Sequence, residues 1–221
     1  MSFLRKPSRA FTLIELVVVA AIVGVISIIV LTSHVSFSRT TALSNTAYDI
    51  ALSLRNAQTF GIGSRNALGV RNAGYGIEFS TANPSSFRVF ADTNPAVAAG
   101  LTPNQRPGDG HYCANATAPC TGADTPSQTY ALNNGIIISK FCGVHTNGTT
   151  YCTDSAGGNQ ISKLDIVFVR PNTFASTSVY TNTWLWQGLI RGCVSVRSPE
   201  GAMRHITVSR IGQVSTASSC P

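Results

Sequence analysis

Two sets of residues in this chain are placed where they could do chemistry: one carboxylate in an apolar run, and six cysteines. Glu15 opens the stretch LVVVAAIVGVISIIVL, residues 16–31, in which Ser27 is the only polar side chain. With Phe11, Leu13 and Ile14 the apolar stretch approaches the ~20 residues needed to cross a bilayer. An ionisable group near the bilayer centre costs about 2.5–3.5 kcal/mol on insertion scales, so a carboxylate kept there is a functional residue by default. The cysteines stand at 113, 120, 142, 152, 193 and 220, all beyond the run. An even number in an oxidising compartment reads as disulfides, and six allow fifteen pairings. The expected set joins nearest neighbours: Cys113–Cys120, Cys142–Cys152 and Cys193–Cys220. The first two would close short loops around the turn residues ATAP and HTNGTT, and the third would tie the C-terminus to a strand. Zinc is the competing chemistry, since His111 lies near Cys113 and His145 near Cys142. No CxxC pair or regular ligand spacing supports it, and no metal is expected.

Catalysis has little material. The four histidines, at 34, 111, 145 and 205, accompany no G-x-S-x-G, H-E-x-x-H or paired-carboxylate motif. Gly61-Ile-Gly63 and Gly74-Tyr-Gly76 are too short to cradle phosphate and read as a helix stop and a turn. With nine acids in the whole chain, neither an enzyme nor a cofactor is expected. Nucleic acid is the sharper alternative, because Arg170, Arg191, Arg197, Arg204 and Arg210 crowd the last third, with Glu200 the only acid after Asp165. Arg191, Arg197, Arg204 and Arg210 are the candidate contacts; the plainer reading is that they decorate the solvent face of strands. The formal charge of +7 does not decide it, since removing Arg5, Lys6 and Arg9 from the 16 basic residues leaves an excess of only four over the acids. Trp184, Trp186 and Tyr180 could form an exposed aromatic patch, but packing in a core or a subunit interface is the expectation.

The elements that must position these residues follow from periodicity. The chain is 43% hydrophobic and 11% charged, against roughly 25% charged in an ordinary soluble domain, which excludes global disorder. Beyond the apolar run, Leu43, Ala47, Ile50, Leu54 and Ala57 recur every three or four residues, so the helix continues as an amphipathic one until Gly61 and Gly63 stop it. One helix from Phe11 to Phe60 would be roughly 75 Å long at 1.5 Å per residue. The pattern then switches to period two. Tyr75–Ser80 and Ser86–Ala91 form an expected hairpin, with further strands at 135–141, 163–170, 189–196 and 204–210. Residues 92–127, rich in Pro, Gly, Ala, Asn and Thr, read as a long surface excursion. The fold class is α+β, a long N-terminal helix packed on an antiparallel head. The expected divisions are 1–10, a leader; 11–33, a membrane or filament-core half-helix; 34–62, an amphipathic half-helix; and 63–221, a disulfide-stapled β-rich head.

A basic start before an apolar run outlines a secretory signal peptide, but no small-residue cleavage site follows the run; the small residue, Ala10, precedes it. Ser8-Arg9-Ala10 followed by Phe11-Thr12-Leu13-Ile14-Glu15 and a long apolar helix resembles the class III signal of type IV pilins and pseudopilins. The resemblance implies a basic leader, residues 1–10, held in the cytoplasm by Arg5, Lys6 and Arg9 and cut after Ala10 by a prepilin peptidase that then methylates the Phe11 amine. Glu15 would neutralise the Phe11 amine of a neighbouring subunit inside a filament, fixing axial register. Ala10 stands where the family usually has Gly, and Thr32 where many major pilins carry a helix-kinking Pro. The implied partners are other pilin subunits, the prepilin peptidase and an inner-membrane assembly platform. The implied location is the cytoplasmic membrane, in a single pass, then a filament with the head outside the cytoplasm. Residues 48–57 and 206–214 also resemble the GspH/FimT branch, which includes DNA-capturing pilins of natural transformation, although the tail VSTASSCP lacks that branch's basic residues. The readings left open are a pilus subunit, a type II secretion pseudopilin, a DNA-capturing minor pilin and a membrane-anchored domain that never polymerises.

Overall fold

The computed structural model describes residues 12–63, 67, 73–94, 108–116, 120, 122–170, 173–181 and 185–221. The chain divides into two units, residues 1–41 and 42–221. One helix, α1 (Leu13–Ile62), runs through both. Its first unit contains Leu13–Val30, long and apolar enough to cross a membrane, with none of these residues buried. Apolar side chains face outward on every side, the pattern of a helix whose solvent is lipid or other apolar helices. Ser27, the one hydroxyl, donates to the Val23 carbonyl at 2.7 Å and so needs no outside partner.

In the second unit the helix becomes one-sided. Leu43, Ala47, Ile50, Leu54 and Ala57 are each at most 3% exposed, and they form one core with the inner faces of two antiparallel sheets. The first sheet contains β1 (Gly74–Ser80), β2 (Ser86–Asp92), β3 (Thr125–Ala131), β6 (Ile161–Phe168), β7 (Ala175–Thr181) and β8 (Leu185–Trp186), in the order β3-β2-β1-β6-β7-β8. The second contains β4 (Ile137–Val144), β5 (Thr150–Cys152), β9 (Arg191–Arg197), β10 (Met203–Ser209) and β11 (Val214–Ala217), in the order β11-β10-β9-β4-β5. Ile77, Phe79, Leu164, Ile166 and Phe168 from the first sheet meet Ile138, Phe141, Val194, Val196 and Ile206 from the second. Gly61 lets the helix end close on β6, because a methyl group there would overlap the Phe168 carbonyl oxygen. Gln58 fastens the same end, its side-chain amide donating to the Gly212 carbonyl at 3.2 Å.

The α+β class stands, with two differences in the strands. The spacing predicts no strand at β3, β5, β7, β8 or β11: β3 carries Pro126, β7 reads ASTSVYT with little apolar alternation, and β5, β8 and β11 are only three, two and four residues long. β3 and β11 are edges, where Pro and short polar strands belong because half the backbone groups need no ladder partner, whereas β7 lies between β6 and β8. The expected surface excursion over 92–127 is corrected more fundamentally. Its described residues include His111, Tyr112 and Cys113, all buried, and Tyr112 packs edge-on against Phe90 at 5.1 Å. With Val167 these two make a small second core. The described residues between β2 and β3 are irregular, and 95–107, 117–119 and 121 lie outside the described residues; composition carries no information on whether such a backbone lies over a sheet.

Candidate functional site

Glu15 lies in the first turn of α1, exposed on the apolar segment. Thr12 precedes the helix, and its Oγ1 accepts the Glu15 backbone N–H at 3.4 Å. Thr12-x-x-Glu15 is the spacing of a capping box, in which a threonine and an acid satisfy the helix's free amides. The turn also places the carboxylate at the positive end of the helix dipole. Neither effect supplies a full opposite charge, so the arrangement can receive a cationic group. Ala10 and Phe11, the expected cleavage and methylation pair, lie outside the described residues.

The cysteines form three disulfides: Cys113–Cys120, Cys142–Cys152 and Cys193–Cys220. Cys142 and Cys152 are directly opposite on β4 and β5, and Cys193 is opposite Cys142 on β9. These strands therefore put two disulfides side by side, with Cys220 packed against them. Three groupings could resemble metal sites: His111 with Cys113 and Cys120, Cys142 with Cys152 and Asp154, and Asp109 with Cys113 and Asp124. In all three the sulfurs are consumed by disulfide bonds and offer no thiolate.

Sequence reasoning missed the main polar feature of the head. Of the nine acids, Glu78, Asp92, Asp109, Asp124 and Asp165 gather around the outer face of the first sheet and the segment 108–113 that covers it. Asp92 accepts the N–H groups of Asp109 at 3.1 Å and Gly110 at 2.8 Å. Asp124 accepts three, from Thr93, Asn94 and Cys113, all within 2.9 Å. Asp165, on β6, accepts the Tyr112 N–H at 2.9 Å, and Asp109 takes the Asn94 side-chain amide at 2.7 Å. Each carboxylate thus fixes backbone that no strand partner holds. Burial raises Asp92 and Asp165 well above the usual carboxylate range, helped by Asp124 in the first case and Glu78 in the second. Burial likewise pushes Asp109 and Asp124 up to about 6 and lowers His111. Glu78 differs, having Arg88 beside it and Lys163 at 3.5 Å. The available signal was Asp165 within Leu164-Asp165-Ile166-Val167-Phe168, a charge in an otherwise apolar strand.

The candidate arginines do not converge. Arg191, Arg197, Arg204 and Arg210 are exposed. The register pairs Met203 with Arg197 and Ser209 with Arg191, so Arg197 and Arg204 occupy one end of the β9–β10 hairpin and Arg191 and Arg210 the other. Arg170 is also exposed, beyond the end of β6. Trp186 stacks on Tyr151 at 5.5 Å and joins the edges of the two sheets while remaining 40% exposed. Trp184 lies outside the described residues.

Residues 5–31 match the family model of the prokaryotic N-terminal methylation motif. That match marks the N-terminus as a class III signal of the type IV pilin and pseudopilin kind. It indicates a structural subunit, and it implies processing by a prepilin peptidase and assembly with other pilins. The motif and the apolar helix fit membrane anchoring. No curated protein and no solved structure matches the chain.

Proposed function

We propose that the chain is a structural prepilin, cut after Ala10, methylated on Phe11 and polymerised into a type IV pilus or pseudopilus. The methylation motif over residues 5–31 carries this reading. Support comes from the helix that continues the motif, apolar on all sides through Val30 and one-sided from Leu43. The head would be exported, and an oxidising compartment keeps its three disulfides formed. Binding and assembly, not catalysis, are its work. In this scheme Arg5, Lys6 and Arg9 hold the start of the chain inside. Glu15 then gains its partner only after the leader is removed, because only then does the Phe11 amine exist. Mass spectrometry of protein from cells with an active prepilin peptidase should find a chain that begins at N-methylated Phe11. An intact leader would end the reading.

A further inference from the structure

The outer face of the second sheet carries a groove of ≈ 430 Å³, on the side of β9 and β10 that turns away from the core. Along β9 the inward residues are Val194 and Val196, so Ser195 and Arg197 face outward into the groove. Lys140 from β4 and His205 from β10 flank them in register with Ser195. The His205 Nδ1 is 2.7 Å from the Ser195 hydroxyl, which leaves the ring's Nε2 for a ligand. Ser195 is buried and also bonds to the Cys220 sulfur at 3.1 Å, so the histidine is held at a defined angle. Ile137 and Met203 supply apolar surface, and the Cys193–Cys220 disulfide closes the end near Ser219.

The charge of this groove is positive. Its one acid is Asp154, an exposed residue 2.9 Å from Lys140. Glu200 lies in the turn between β9 and β10 and does not line it. His205 senses the imbalance: burial and then the charges of Lys140 and Arg204 lower its affinity for a proton. An anion would relieve that field and make a protonated His205 a third cationic contact.

We propose that this groove binds a carboxylate-bearing saccharide unit of an acidic polysaccharide, with Arg197, Lys140 and His205 on the carboxylate, Ser219 on a hydroxyl, and Ile137 and Met203 against the ring's apolar face. The volume suits one or two sugar rings. Nucleic acid fits less well, because the other arginine pair lies about six residues farther along β9, roughly 20 Å at 3.3 Å per residue, and among the described residues of this sheet face the two arginine pairs form no continuous stripe for a phosphate backbone. This inference requires only an exposed head and does not depend on polymerisation.

The test uses the full chain in non-ionic detergent, titrated with tetragalacturonate, its fully methyl-esterified form, and single- and double-stranded DNA of matched charge. Saturable binding of tetragalacturonate is expected, with at least tenfold weaker binding to the ester. Arg197→Gln should weaken it about tenfold and Arg191→Gln, at the far end of the hairpin, less than twofold. NMR of the His205 ring should show its pKa rising on binding. Equal affinity for the ester, equal sensitivity to the two arginine changes, an unmoved His205, or binding of DNA in preference to the uronate would overturn the proposal.

Discussion

The first half of α1 and the head solve the same problem in opposite ways. Both contain carboxylates in apolar surroundings. In the head, Asp92, Asp124 and Asp165 are answered from within by backbone N–H groups of residues 93, 94, 109, 110, 112 and 113. In the helix, Glu15 stands in the first turn of the apolar segment Leu13–Val30, and the bond to the capping threonine is made by its backbone N–H. The acids of the head complete a fold, whereas in the proposed assembly Glu15 takes its partner from outside its own helix. An apolar sequence in a core and one on an open helix have similar composition; what differs is whether the chain covers it.

The largest effect that should sharpen this contrast is covalent. Replacing Cys193 and Cys220 together with Ser opens a loop of sequence separation 27, and the chain-entropy model assigns closure of such a loop about 3.5 kcal/mol. Thermal unfolding should show that loss in the head, and an unchanged midpoint would mean that the tail is held by packing alone. Next, Gly61→Ala should destabilise the head by about 1–3 kcal/mol through the collision with Phe168, although alanine is the better helix former. A stabilised variant would show that the helix end does not close on β6 as described.

These two features were unequally legible. The helix, its end before Gly63 and the placement of Glu15 in an apolar run follow from spacing, because periodicity and a charge in an apolar run are local patterns. The carboxylate group was not legible, since Asp92, Asp109, Asp124 and Asp165 are separated by 15 to 41 positions and meet only when segment 108–113 lies over the sheet. Tertiary contact assembles that site, and no window of sequence contains it. The arginines show the reverse case: neighbours in the sequence, they are divided between the two ends of a hairpin.

A smaller effect is pH dependence. Asp124 has a folded pKa of about 6 against an ordinary 3.8, so the folded state holds its proton over a range where the unfolded chain has lost it. Its contribution is fully present below about pH 4 and declines as pH rises to 6 and beyond. His111, whose pKa is lowered, acts in the opposite direction. The comparison of wild type with Asp124→Asn isolates the carboxylate: the stability advantage of wild type, measured by urea unfolding, should be larger at pH 4 than at pH 7. An advantage that grows with pH would reverse the sign and refute the burial argument. The smallest expected effect is that of Glu15→Val on the head, where the unfolding midpoint should not move.

The claim that Glu15 calls for a partner from outside is tested most directly by incorporation. Cells lacking the wild-type chain should carry either Glu15 or Glu15→Val protein, and sheared surface filaments should be compared at equal membrane levels of processed subunit. The account predicts that the valine form is inserted and cut after Ala10, yet is depleted at least tenfold from filaments. Equal incorporation of the two forms would contradict it, leaving Glu15 as a cap of its own helix and nothing more.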